Sequence, residues 1–180
     1  MLMSMSEQIG FADYVAVRRD TWVRAAALLT GDPHAAEDLV QTALVRVWPH
    51  WRRISARGDA DAYIRKAVMS VFLTSVRRRR WREVVADPQA NDLSGRQHVT
   101  PAASDAVDAR LHLRHILGSL GPRQRAVLVL RYYLDLSEAE TADTLGCSIG
   151  TVKSQAAKGI ARLRSLPLNV TGDEAMEEHT

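Results

Sequence analysis

The sequence predicts an all-α protein of two small helical domains joined by a flexible linker, and three observations carry that expectation. Apolar residues recur at three- and four-residue steps through most of the chain, the spacing of helices that bury one face. No stretch keeps the two-residue alternation of a half-buried strand. One segment, residues 86–105, loses all periodicity in a run rich in Pro, Gly, Ser, Asn and Asp, "ADPQANDLSGRQHVTPAAS", the composition of a linker. With 180 residues, 46% hydrophobic and 25% charged, the chain has a globular composition and room for two small cores.

The elements follow in order. Phe11, Tyr14, Val15, Trp22, Ala26 and Leu29 mark one amphipathic helix, which "TGDP" stops. Gly31 suits a helix C-terminus, Asp32 an N-cap, and Pro33 a first helical position where a missing N–H costs nothing. The second helix buries Ala36, Leu39, Val40, Ala43, Leu44 and Val47, and it ends at Trp48 because Pro49 follows. Its outward face carries Glu37, Asp38, Gln41, Thr42 and Arg46. The loop "HWRRISARGDAD" leads to a third helix from about Ala62 to Trp81, expected to bury Tyr63, Ala67, Ser70 or Val71, and Leu73 or Thr74. These elements make a first domain over residues 7–85.

The second domain spans residues 106–168. "AVDARLHLRHILGSL" and "GPRQRAVLVLRYYLDL" read as helices, the latter started by Pro122. Ser137 and Glu140 then have capping-box spacing for a helix from Glu138 to Leu145, and Gly146 stops it. Ser148 or Thr151 can cap the last helix, whose stripe Val152, Ala156, Ile160 and Leu163 leaves Lys153, Ser154, Gln155, Ala157, Lys158 and Arg162 facing outward. Small Ala142 permits the close approach of a helix-turn-helix, in which the second helix enters the major groove of DNA. Helix N-terminal amides beside Lys and Ser bind phosphate, and Gln reads an adenine edge. An acidic tail, residues 169–180, closes the chain.

Net charge is only +3, yet its distribution is uneven. Residues 7–45 hold three Arg against six acids, 46–82 eleven Lys/Arg against two, 83–108 one against five, and 110–168 nine against four. Two basic surfaces separated by an acidic connector suit a protein that touches a polyanion at two places. Cys147 is a single cysteine, so an internal disulfide is excluded, and no apolar run is long enough to span a membrane. A cytoplasmic protein is expected. His112 and His115 lack further ligands for zinc, no phosphate-cradling loop or catalytic nucleophile stands out, and neither a metal, a cofactor nor enzymatic activity is expected.

"LDLSEAETADTLGCSIGTVKSQAAKGIARLR" resembles domain 4 of the extracytoplasmic-function (group 4) sigma factors of bacterial RNA polymerase, and "LLTGDPHAAEDLVQTALVRVWPHW" resembles their domain 2. With "DAYIRKAVMSVFLTSVRRRRW" the likeness runs over about residues 11–166, nearest to the actinobacterial sigma-E-like subgroup with "LTGD" and "RRRRW". The resemblance implies a promoter-specificity subunit. It places docking on the polymerase β′ coiled coil at Glu37, Asp38, Gln41 and Thr42, the last in place of a usual acid. Recognition and opening of the −10 element fall to Trp51, Arg52 and Arg53 in the loop, with Arg65, Lys66, Ser70, Arg77, Arg78, Arg79 and Arg80 on the third helix. Trp51 is the expected stacking surface; Trp48 and Trp81 are expected to pack inside. Relatives usually have Asn near Ser70.

At −35 the implied readers are Thr151, Lys153, Ser154, Gln155, Ala157, Lys158 and Arg162. Thr141 replaces a usual aliphatic residue in the helix pair. Implied partners are core RNA polymerase through β′ and β, promoter double-stranded DNA and, left open, an anti-sigma protein; no membrane is involved. The alternative is a helix-turn-helix regulator that acts without being a polymerase subunit, which leaves the exposed "EDLVQ" face without a purpose.

Overall fold

Local chemistry sets the first boundary. Gly31 adopts a left-handed φ of 77° and its N–H donates to the Ala27 carbonyl at 2.9 Å, while the Asp32 carboxylate accepts from the His34 N–H at 2.9 Å, with Pro33 next. These caps end α1 (Phe11–Thr30) and start α2 (Pro33–Val47). The computed structural model describes residues 10–86 and 105–166. A 3₁₀ turn at Trp48–His50 and the short α3 (Trp51–Ser55) follow, then the long α4 (Ala60–Ala86). The segment expected to be an irregular loop is therefore largely helical, because Trp51 and Ile54 anchor it to the core.

The second unit holds α5 (Asp105–Gly118), α6 (Pro122–Leu128) running into a π turn at Val129–Tyr133, α7 (Glu138–Leu145) and α8 (Ile149–Arg164). No strand occurs among the described residues. The expected linker and acidic tail fall almost wholly outside the described residues. Both bounds of the expected capping box are present: the Glu140 N–H donates to Ser137 Oγ at 3.1 Å and the Ser137 N–H to the Glu140 carboxylate at 2.8 Å. The Ser137 hydroxyl and then its backbone N–H hold the Glu140 carboxyl below the usual carboxylate range, so it stays ionised at neutral pH.

Two expectations about burial need correction. Among the described side chains of α4, Ala60, Ile64, Val68, Met69, Val71 and Phe72 are buried, whereas Tyr63 and Ser70 are exposed. The buried arc is wide because α4 is covered on one side by α2 and on the other by α6 and α7, which leaves the Tyr63–Ser70 strip to solvent. Similarly, Ala25 to Leu29 are all buried in succession. A helix end buried all round has neighbours on every side, and here α2, α4, α5 and α6 supply them.

The two units thus pack into one continuous apolar cluster that runs from Trp22 to Leu136. Arg125 straps them together: its guanidinium donates to the Leu29 carbonyl of α1 at 2.6 Å, to the carbonyl of Gly118 at the end of α5 at 2.9 Å and to that of Leu120 just beyond at 3.2 Å. These are the unpaired C-terminal carbonyls that helices leave over.

Thr141 is fully buried, so the polar residue does not push the helix pair apart, but its Oγ1 has no hydrogen-bond partner. An unsatisfied buried hydroxyl costs about 1–3 kcal/mol. Thr141→Val keeps the shape and removes the hydroxyl, and it is expected to raise the melting temperature by about 2–8 °C, a gain of about 1–2 kcal/mol for a chain of this size. Calorimetry checks it; an unchanged or lower melting temperature would mean that the hydroxyl is satisfied.

Candidate nucleic-acid and polymerase interfaces

On α2 the apolar stripe Ala36, Leu39, Val40, Ala43, Leu44 and Val47 is buried, and the helical period turns Glu37, Asp38, Gln41 and Thr42 to solvent together. Glu37 lies 3.7 Å from Arg19 of α1. Asp38 has no ion-pair partner among the described residues and, with Gln41 and Thr42, forms an open polar face.

The turn after α2 places its aromatic residues differently from expectation. Trp51 is only 9% exposed and packs against Phe11 and Tyr14, with ring centroids 5.1 and 5.0 Å apart. It is a core anchor and offers no free stacking surface. Trp48 and Trp81, expected inside, are 60% and 71% exposed. The reason is steric: Pro49 turns the chain so that Trp51 fills the space beside Phe11 and Tyr14, and Trp48 keeps only an edge contact with Phe11 at 4.9 Å.

Tyr63, Lys66, Ser70, Arg77 and Trp81 share one exposed strip of α4, at steps of three, four, seven and four residues. Aromatic rings at both ends of a cationic strip suit single-stranded nucleic acid, whose bases stack while its phosphates pair with cations. At the upper end of the strip lies an open groove of about 420 Å³ lined by Arg46, Val47, His50, Tyr63, Lys66 and Ala67. Arg46, His50 and Tyr63 were not among the site residues that the resemblance implies, although Arg46 was expected on the outward face of α2; the spacing of Tyr63 three residues before Lys66 was the available signal. Arg52, Arg53, Arg78, Arg79 and Arg80 are exposed as expected. Arg65 is half-buried, and its Nε has no partner.

In the second unit Gly146, with φ 62°, ends α7, and Ser148 caps α8 by accepting from the Thr151 N–H at 3.1 Å. Val152 and Gly159 are buried on the inner side, where a Cβ added to Gly159 would lie 3.1 Å from Leu128 Cδ1. That close approach to α6 sets the tilt of α8. Lys153, Ser154, Ala157, Lys158 and Arg162 are exposed, and Thr151 and Gln155 half-buried. α8 has no acidic residue, and its outer face is cationic. Lys153 lies 3.5 Å from Glu138, and Lys66 holds both carboxylate oxygens of Asp143 at 2.8 and 2.9 Å. Cys147 is half-buried in the turn, and no metal-binding cluster of His, Cys, Asp or Glu occurs among the described residues.

Comparison with known proteins agrees with this architecture. The family model for Sigma-70 region 2 matches residues 16–82, and that for Sigma-70, region 4 matches residues 110–163. The chain is 40% identical over 165 residues to the RNA polymerase sigma-E factor of Streptomyces avermitilis, covering 90% of this chain and 87% of that one. It is 36% identical over 144 residues to the ECF RNA polymerase sigma factor SigL of Mycobacterium tuberculosis, covering 78% and 79% of the two. Among solved structures, the sigma factor RpoE in complex with the anti-sigma factor NepR from Bartonella quintana shares the fold with a TM-score of 0.65 at 24% identity, over 86% of this chain and 94% of that one. CnrH in complex with the cytosolic domain of CnrY follows at 0.56 and 19%, over 86% and 85%.

Proposed function

Because this chain belongs to the sigma-70 family and is an RNA polymerase sigma factor of the extracytoplasmic-function kind, we propose a division of its surface into one docking face and two DNA readers. The α2 face of Asp38, Gln41 and Thr42, flanked by Glu37, docks core polymerase. The α4 strip with Lys66, Ser70, Arg77 to Arg80 and the loop arginines Arg52 and Arg53 holds the −10 element, with Tyr63, Trp48 and Trp81 as the stacking rings in place of Trp51. The outer face of α8, through Thr151, Lys153, Ser154, Gln155, Ala157, Lys158 and Arg162, reads −35. The domains that carry these roles extend over residues 7–85 and 106–168.

The observation that carries this reading is the pairing of an acidic and amide face on one side of the chain with two basic faces elsewhere. Phosphate contacts position a protein on DNA, whereas base edges and unstacked bases specify it. Polymerase makes the bonds; this chain adds no catalysis and works in the cytoplasm beside it. Each DNA contact is weak alone and gains from the other through effective concentration once polymerase holds both units. An anti-sigma protein is a candidate partner, since the sigma factor RpoE of the same fold is in complex with the anti-sigma factor NepR.

Transcription in vitro with core enzyme and a genomic fragment library tests the whole reading. Transcripts whose start sites share two upstream elements are expected only when the protein is added. A transcript pattern identical to that of core enzyme alone would instead favour a regulator that acts outside the polymerase.

A further inference from the structure

A helix of five residues has no stability of its own, since the cost of nucleation outweighs its few hydrogen bonds. α3 (Trp51–Ser55) is such a helix, so its direction is set by what it rests on. Trp51 and Ile54, three residues apart, are buried, and that turns Arg52 and Arg53 outward. Beyond α3, Ala56 to Asp59 are all exposed, Gly58 turns the chain with a left-handed φ of 70°, and α4 begins at Ala60. The two arginines therefore ride on a short surface segment whose two ends must both be held.

Both ends rest on one stripe of α1. Phe11, Tyr14 and Arg18 recur at steps of three and four residues and so line one side of that helix. At the near end the Phe11 and Tyr14 rings pack on Trp51, with centroids 5.1 and 5.0 Å away and interplanar angles of 73° and 53°. At the far end Arg18 meets Asp61, in the first turn of α4, at 3.2 Å. Tyr14 joins the two contacts. Burial and then the facing Asp61 carboxylate raise its hydroxyl above the usual tyrosine range, against the charges of Arg18 and Arg65, so it stays protonated at neutral pH. The Arg18 and Asp61 side chains are 51% and 32% exposed, and a pair that open to water adds little to the stability of the fold. Its effect is to fix where the segment ends.

Resting on the −10 assignment above, we propose that the α1 stripe Phe11, Tyr14 and Arg18 is a clamp that positions Arg52 and Arg53 for the opened DNA strand. The stripe acts through α3 and the start of α4 and is not itself a DNA contact. Arginines that must meet the phosphates of an unpaired strand gain from a backbone already in place, because ordering it at the moment of binding costs conformational freedom. Released from the clamp, residues 52–60 keep their charge and lose that preorganisation. Docking on polymerase, which belongs to the outward face of α2, is unaffected.

The test uses the full-length chain assembled with core RNA polymerase on a promoter recovered from the genomic fragment library, and it reads strand opening by the permanganate reactivity of thymines upstream of the start site. Tyr14→Phe combined with Arg18→Gln keeps both rings on Trp51 and frees Asp61. It is expected to lower the amount of open complex about three- to tenfold, with affinity for core enzyme unchanged. Arg52→Ala with Arg53→Ala should lower opening by itself, and adding the clamp substitutions to that variant should cost nothing further, as for residues that act through one another. An equal further loss in that background, or a parallel fall in affinity for core enzyme, would reduce the clamp to a general effect of charge or folding and refute the positioning role. Normal opening with the clamp substitutions, beside a loss with the arginine pair, would also refute it and leave the −10 assignment standing. Normal opening without the two arginines would overturn the −10 assignment of this segment, and the clamp with it.

Discussion

Asp38→Arg combined with Gln41→Ala is expected to weaken binding to core RNA polymerase about 30- to 1,000-fold, a loss of about 2–4 kcal/mol. The size follows from position. Both side chains lie on the solvent side of α2 between buried Leu39, Val40 and Ala43, so a partner helix laid along α2 would cover them near the centre of its footprint. Reversing the charge at a covered position leaves one cation facing another and removes an anion from its partner. Surface substitutions away from special features change stability by less than about 0.5 kcal/mol, so thermal unfolding should not move. Titration of labelled core enzyme measures the affinity, and calorimetry the fold. Wild-type affinity in a variant with unchanged melting would place the docking face elsewhere.

Arg125→Ala is expected to destabilise the protein by about 2–4 kcal/mol, lowering the melting temperature by about 4–16 °C. One guanidinium serves three carbonyls from two units, at 2.6, 2.9 and 3.2 Å, and alanine strands all three. Burial pushes the guanidinium pKa below its ordinary value, yet the group stays charged at neutral pH because that value starts so high. Arg125→Lys keeps the charge but not the planar fork, so it should recover only part of the loss. Unfolding in urea gives the free energies. Should Arg125→Ala melt with the wild type, the strap would contribute nothing and the two units would owe their contact to apolar packing and the Lys66–Asp143 ion pair.

Much of this was legible in the chain. Boundaries written in single residues were read correctly: Gly31, Asp32 and Pro33 between α1 and α2, the Ser137–Glu140 box and Gly146; of the two candidate caps for α8, Ser148 and Thr151, it is Ser148 that serves. Caps depend on groups within a few residues, so their chemistry is local. The α2 face and the α8 face were also read correctly, since each helix packs on one side only and its stripe is narrow. The membership of the family was visible in two blocks of motif.

The placement of Trp48, Trp51 and Trp81 was not legible, and neither was the inner face of α4. Trp48, Trp51 and Trp81 have the same side chain and differ only in where neighbours leave room. Trp51 is inside because Phe11 and Tyr14, some forty residues earlier in the chain, form the recess that receives it. α4 is covered by helices of both units, so its apolar arc broadens and a count of three- and four-residue steps picks the wrong edge.

The amino-acid sequence by itself determined the helices other than α3, the caps between them, the polar face at Glu37 to Thr42 and the acid-free helix at 149–164, because each is set by spacing along one chain segment. Only the tertiary structure decided that the units meet, that Arg125 bridges them, that Asp143 sits on Lys66, and which tryptophans reach solvent. Those depend on groups distant in sequence arriving at one place, and neither burial nor the pairing of charges has a definite value until the chain is folded.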